Sequence, residues 1–466
     1  MRTNRDIYRK VLYLAVPMMI QNGVTNAVSL VDNMMVGSLG TECMTGVAIV
    51  GQLIFVFNIS CFGAISGPAI YGAQYFGQGN MEGVKNIFRL KLWLCSICLV
   101  CAIGLLYFKS DFLIGLYLHG TAEGIDAGLT LTRAKEYLNI MLIGLIPFTI
   151  TQIYSGTLRE TGESVKPMVG GLTSVVVDVV FNYILIYGKL GMPAMGVRGA
   201  ATATVMARFI EMSVVIAWSH MEKNKHVFLD HIYDTILVHE ENLKTILIKS
   251  MPLFANELLW ASGMAAMSQC YSTRGLVVVA GLNISNALCN TLNVVWLNMG
   301  SAVGIIVGQM LGASKFEEAK QDSKSLMWFS GFVSVGLTII LCGLAFVFPN
   351  FYRTTAEVRL YGRNFIIITA LFFPLEAFLN ALYFTIRSGG KTIVTFLFDS
   401  VYSWVVMIPI AFTLCRFTNL SILICYALVQ SLSFLKVIVG YVLVQKGVWI
   451  TNLVAEQESQ EASLKL

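Results

Sequence analysis

Six carboxylates stand inside long apolar stretches of this chain: Asp32, Asp178, Glu211, Glu257, Glu376 and Asp399. An ionisable group in such a setting is costly to keep, so its default reading is functional. Asp178 and Asn182 are four residues apart and share one face of a helix. Asp32 and Thr204 can add oxygens to the same cavity. One or two carboxylates with amide and hydroxyl oxygens suit a proton or a hard cation such as sodium. The competing reading is a set of interhelical hydrogen bonds that holds the amino-terminal half together.

The second group of acids has a different character. Glu257 lies in NELLW, five residues after Pro252, Glu376 follows Pro374, and Asp399 begins DSVYSW. A carboxylic acid in a desolvated cavity can hold a proton, release it when a cationic substrate arrives and regain it later, which is the simplest antiport chemistry. The alternative is a neutral buried acid in a structural hydrogen bond. Arg208 and Glu211, three apart, are expected to pair with each other. Lys436 is expected to snorkel to the cytoplasmic surface, or else to serve one of the second-half acids as counter-ion. Aromatics make up 11% of the chain and there are 21 methionines. Aromatic faces attract organic cations and methionine adapts to varied shapes. The candidates to line a cavity are Asn22, Asn256, Trp260, Tyr383 and Tyr402, with Trp296, Phe372, Phe373 and Trp404 beside them; most such rings serve as helix packing.

The elements that must position these residues are long apolar helices. Of 466 residues, 56% are hydrophobic and 13% charged, against about 25% charged in soluble domains. Runs of about 20 apolar residues, each able to cross a bilayer core of about 30 Å, recur along the chain. They predict twelve spans, at roughly 11–35, 46–72, 90–108, 134–158, 167–187, 195–219, 246–272, 281–308, 325–348, 362–386, 393–414 and 420–445. Lipid leaves backbone groups unsatisfied in anything but helices or closed barrels, and these runs are too long for barrel strands. The fold class is therefore an all-α integral membrane protein. Twenty lysines and arginines fall on the side of the termini against ten on the other, which places both termini in the cytoplasm.

A polar stretch at 220–245 divides the chain, and the two halves repeat each other. An offset of 235 pairs Pro17 with Pro252, Gly40 with Gly275, Gln74 with Gln309, Gly77 with Gly312 and Glu82 with Glu317. The same register sets Glu257 against Asn22, and an offset of 228 pairs Arg159 and Gly162 with Arg387 and Gly390. The expected organisation is a six-helix lobe over 1–219, a cytoplasmic linker over 220–245, a second six-helix lobe over 246–445 and a cytoplasmic tail over 446–466. Parallel repeats of this kind place a substrate site between halves that rock against each other.

Other classes find little support. The net charge of +5 follows from basic loops and needs no nucleic acid. Cys95, Cys98 and Cys101 have a CxxC spacing, but inside a predicted helix with no histidine near, so packing is the expected role. The apolar stretch from Val11 is too long for a cleaved signal peptide. The five histidines, His119, His220, His226, His231 and His239, all fall in predicted loops, and no nucleophile motif accompanies the buried acids, which argues against an enzyme.

With these residues in view, the chain resembles the multidrug and toxic compound extrusion family, and its NorM-like bacterial branch most closely. The carrying motifs are the Pro17 to Asp32 span ending DNMMVGSLG, GAQYFGQG matched by GQMLGAS, LRETGESVKP matched by IRSGGKT, and NYILIYGKLGMPAMGVRGAATAT from Asn182. The resemblance implies two six-helix lobes in a V shape. It also implies export of small organic, often aromatic cations from the cell, driven by entry of protons or sodium through the inner membrane. It implies an amino-terminal cation site at Asp32, Asp178, Asn182 and Thr204, and a carboxy-terminal site with Glu257 and with Glu376 eleven residues before Arg387. The fifth-span pair reads Asp-xxx-Asn here, and the tenth-span acid is Glu where Asp is common. No cofactor beyond the coupling ion and no metal beyond sodium is implied, and a monomer is the default. A flippase for a lipid or lipid-linked sugar is the alternative, but such proteins line their cavities with basic residues, and the buried charges here are mainly acidic.

Overall fold

The computed structural model describes residues 4–118, 126–222, 226–235, 237–238 and 243–464. His119 and His239 lie outside the described residues, as does part of the linker. The described residues form helices joined by short turns: α1 (Asn4–Gly37), α2 (Thr41–Gln78), α3 (Met81–Phe108), a short α4 (Ser110–Leu118), α5 (Ala127–Glu160), α6 (Val165–Tyr187) and α7 (Val197–Met221). After the linker come α8 (Leu243–Ser272), α9 (Leu276–Gly312), α10 (Phe316–Leu344) and α11 (Ala356–Ser388). Next, α12 (Thr392–Phe396) runs through two π-helical turns, Leu397–Val401 and Ser403–Met407, into α13 (Ile408–Phe417). The chain ends with α14 (Ile422–Ser431), α15 (Ser433–Gln445) and α16 (Leu453–Leu464).

Among the described residues, eleven helical stretches are long and apolar enough to cross a membrane. The predicted span absent from these eleven, 246–272, is α8, 30 residues long. Its length suffices at about 1.5 Å per residue, but Lys244, Lys249, Asn256 and Glu257 lower its apolarity. The helices outrun the apolar runs that predicted them: α2 has 38 residues and α9 has 37. Once a helix is nucleated each further turn costs little, so the winding continues through polar flanks until a turn residue stops it. The stops obey the repeat. Gly40 and Gly275 have φ of 120° and 110°, and Gly162 and Gly390 have 89° and 70°. Gly79 at 85° corresponds to Ser314 at 56°, so the second half keeps the left-handed turn without the glycine.

The chain divides into two compact units. One comprises Met1–Met19, Ile70–Asn80 and Glu241–Leu466; the other comprises Ile20–Ala69 and Met81–Glu240. In the first, Val11, Leu14, Met299, Val303, Val307, Leu382 and Trp449 share a buried core. A close crossing joins the ends of α2 and α9. A Cβ on Gly77 would lie 1.9 Å from Gln309 O, and one on Gly312 would lie 1.9 Å from Gln74 O. Gln74/Gln309 and Gly77/Gly312 are repeat pairs, so the crossing has a local two-fold character that only hydrogen side chains permit. The segment after α15 is docked rather than loose. Gln74 Nε2 donates to Ser388 O at 2.9 Å and to Thr451 O at 3.3 Å, and Gln74 Oε1 accepts from Leu453 N at 2.8 Å. Asn452 Nδ2 donates to Gly312 O at 3.2 Å, and the Trp449 side chain is fully buried.

In the second unit Phe57, Leu138, Leu145 and Ala201 lie at the core of α2, α5 and α7. Lys91 is fully buried and pairs with Glu160 at 2.5 Å and with Thr157 Oγ1 at 3.1 Å. The linker segment packs on this unit through Phe228, Leu229 and Ile232, all buried. Lys166 reaches His226 at 2.5 Å and Glu222 at 3.2 Å. His220, expected in a loop, sits in the last turn of α7 and meets Tyr154 Oη at 3.0 Å, because that helix continues past its apolar run.

Candidate functional site

In the amino-terminal set, α1 carries Asp32, α6 carries Asp178 and Asn182 one turn apart, and α7 carries Thr204. Asn182 Nδ2 donates to Asp32 Oδ1 at 2.9 Å. Asp178 lies beside Asp32 and Thr204. Thr204 Oγ1 donates to Ala200 O of its own helix at 3.1 Å, which leaves its lone pairs as acceptors. Asp178 Oδ1 and Asn182 Oδ1 are buried without a hydrogen-bond partner among the described residues. Buried polar atoms are nearly always satisfied, so each exception calls for an explanation. Four oxygen-bearing side chains with two unanswered acceptors want a proton or a cation.

The expected Arg208–Glu211 pair gives way to other partners. Arg208 Nη1 donates to Gly144 O at 3.1 Å, and its guanidinium lies 5.1 Å from the Phe148 ring centroid. Glu211 accepts from Gln21 Nε2 at 3.4 Å, while Gln21 Oε1 accepts from Arg159 Nη2 at 2.9 Å. Both side chains point from α7 to different neighbouring helices, which the spacing of three residues could not show. Asn22, next to Gln21, is half-buried in α1.

The carboxy-terminal set is denser. Glu257 Oε1 lies 3.9 Å from Arg387 Nη1. Asp399 Oδ1 lies 3.0 Å from Lys436 Nζ, and Asp399 Oδ2 accepts from Asn256 Nδ2 at 3.2 Å. Asn256 also donates to Tyr383 Oη at 3.2 Å and accepts from Ser400 Oγ at 2.7 Å. Glu376 Oε1 accepts from Ser433 Oγ at 2.6 Å. Asp399 and Ser400 sit in the first π-helical turn, a distortion that recurs at functional sites.

Lys436 does not snorkel. Its side chain is 8% exposed and paired with Asp399, because α15 turns that face inward. Its ammonium lies 5.6 Å from the Phe398 ring centroid and 5.8 Å from that of Tyr402. The aromatic candidates separate. Tyr383 joins the polar network, and Tyr402 Oη donates to Leu432 O at 3.0 Å. Trp296 and Phe373 pack edge to face, as do Phe372 and Phe434. Trp260 is 43% exposed, and Trp404 Nε1 donates to Leu259 O at 3.0 Å. Asn256 is a buried hub of this network.

Lys91 of α3 and Arg387 of α11 each pair with an acid of a neighbouring helix, Glu160 of α5 and Glu257 of α8. Arg387 corresponds in the repeat to Arg159, which binds Gln21, but the register marks neither arginine as a partner for an acid.

The comparisons agree with this architecture. A family model described as MatE matches residues 17–184 and 252–413. The chain belongs to that family and is a multi-pass membrane transporter of it. A probable multidrug resistance protein of Bacillus subtilis, YoeA, is 23% identical over 458 residues, covering 97% of each chain. A probable multidrug resistance protein of Thermotoga maritima, NorM, is 24% identical over 431 residues, covering 90% of this chain and 88% of its own. Among solved structures, the Vibrio cholerae MATE transporter VcmN in the bent form superposes with a TM-score of 0.82 at 16% identity, covering 95% of this chain and 97% of the other. An outward-facing multidrug resistance MATE family transporter of the MOP superfamily gives 0.81 at 18%, covering 94% and 96%. These likenesses establish the twelve-span, two-lobe helical fold.

Proposed function

We propose that this protein is a cation-coupled antiporter that exports small organic cations by alternating access, with protons or sodium as the driving ion. The observation that carries the reading is the amino-terminal set, where Asp178 Oδ1 and Asn182 Oδ1, beside Asp32 and Thr204, are buried acceptors without a donor among the described residues. A coupling ion entering among these oxygens supplies the missing positive charge. Glu257, Glu376 and Asp399 form the carboxy-terminal place where a proton or substrate cation meets half-buried acids. The multidrug resistance names of the relatives agree with an efflux role. The excess of basic residues on the side of the termini orients the protein in the cytoplasmic membrane with both termini inside.

The test is transport of a fluorescent organic cation by the purified protein in proteoliposomes, with a proton gradient and a sodium gradient imposed separately. Transport driven by one gradient, and lost in Glu257→Gln at equal protein density, is the expected result and names the ion. Wild-type rates from Glu257→Gln would remove that residue from the mechanism. Transport under neither gradient would overturn the antiporter reading and turn the search to lipids.

A further inference from the structure

The charged cluster of the carboxy-terminal unit holds three acids and two bases. Glu257 is matched by Arg387 at 3.9 Å and Asp399 by Lys436 at 3.0 Å. Glu376 is held by the neutral Ser433 hydroxyl at 2.6 Å, with Lys436 and Asp399 as its charged neighbours. The charged neighbours of Glu257 are Arg387 and Asp399. With all five groups ionised the cluster therefore carries a single net negative charge. Both basic side chains are 8% exposed, so water does little to screen them.

Lys436 is the informative member. Its ammonium sits against a carboxylate and within 6 Å of two aromatic rings, at 5.6 Å from Phe398 and 5.8 Å from Tyr402. A carboxylate and aromatic faces are what an organic cation would seek. One such position is thus already filled by a side chain of the protein. An unmatched charge in a desolvated site is strongly disfavoured, so the cluster accepts as much added positive charge as it has net negative charge.

We propose that Lys436 fixes the charge of the exported substrate: the carboxy-terminal site takes one positive charge at a time, selecting monovalent organic cations and rejecting divalent ones. This rests on the organic-cation reading above. Lys436 acts through Asp399 as a specificity-determining residue. With its ammonium removed, the cluster has two net negative charges and accepts a dication. With Asp399 neutralised as well, the net charge returns to minus one and monovalent preference returns, although Lys436 is still absent.

Ethidium, a monocation, and propidium, a dication on the same phenanthridinium ring, test this by fluorescence titration of the purified full-length protein. The wild type should favour ethidium by at least about tenfold, a conservative share of the penalty for an unmatched buried charge. Lys436→Gln should erase or invert that ratio, Lys436→Arg should keep it, and the double variant Lys436→Gln with Asp399→Asn should restore it. Glu376→Gln, which leaves the cluster without net charge, should bind ethidium at least about tenfold more weakly than the wild type, and unchanged ethidium binding by that variant overturns the charge count if Lys436→Gln fails to fold. Equal binding of the two dyes by the wild type, or one unchanged ratio across all variants, overturns the role of Lys436 alone. Binding of neither dye by the wild type overturns the organic-cation reading, and this inference falls with it.

Discussion

Asp178 and Lys91 show how differently a buried charge can be used. Asp178 has an oxygen without a hydrogen-bond partner among the described residues, whereas Lys91 has Glu160 at 2.5 Å and Thr157 at 3.1 Å. Asp178→Asn keeps the shape and removes one carboxylate from the amino-terminal set. The charge of the ligands tunes cation affinity, so half-saturation for the coupling ion should rise by at least about tenfold. An unchanged sodium and pH profile of transport would return Asp178 to a structural role. Lys91→Met, by contrast, leaves Glu160 buried without its ammonium, and breaking such a pair costs about 3–5 kcal/mol. Thermal unfolding in detergent should show a large drop for Lys91→Met and recovery when Glu160→Gln is added. No drop would mean that Glu160 finds another partner. At this scale the sequence showed the acids, since a carboxylate among apolar residues stands out by type alone. It did not show the partners. Arg208 and Glu211 diverge to Gly144 and Gln21, and Lys436 turns inward, because rotation of a helix about its axis is set by packing.

Among the elements, the crossing of α2 and α9 is tightly specified from both sides. Gly77 rests on Gln309 O and Gly312 on Gln74 O, and a Cβ at either place would lie 1.9 Å from a carbonyl oxygen. Backbone cannot yield as a flexible side chain can. Gly77→Val and Gly312→Val should each therefore force the helices apart and cost about 1–3 kcal/mol or more. The same separation should loosen the segment after α15, since Gln74 binds both Ser388 O and Leu453 N. Limited proteolysis near Trp449 should accelerate in both variants, and by similar amounts given the local two-fold. Unchanged cleavage would mean that the segment docks independently of the crossing. The helices and their order were legible from apolar run length, and the repeat from one register at an offset of 235. The docked segment was not, because Trp449, Asn452 and Leu453 follow a span without a periodic apolar face long enough to announce a helix. Nor were the π-helical turns at Leu397–Val401, which no residue type marks.

For the molecule as a whole, the docked segment shows which helix ends share a face, independently of charge. The carbonyls of Gly312 and Ser388, the side chain of Gln74 and the backbone of Thr451 and Leu453 meet in one place. The ends of α2, α9 and α11 and the start of α16 therefore share one face of the membrane. With twelve spans, that is the face from which α1 departs, since an even number of crossings separates each of these points from it. In the proposed orientation, the excess of lysine and arginine makes this face the cytoplasmic one. Lys91 and Arg387 are paired with acids of neighbouring helices and contribute little to that bias, yet the remaining excess points the same way. Alkaline phosphatase fused after Arg353, between α10 and α11, should therefore be active, and the same fusion after Asn80, between α2 and α3, inactive. A green fluorescent reporter after α16 should fluoresce. Activity after Asn80 with silence after Arg353 would invert the orientation, while the direction of the proposed antiport would stand, because the ion gradient sets it and inward ion flow is exchanged for outward substrate flow in either orientation.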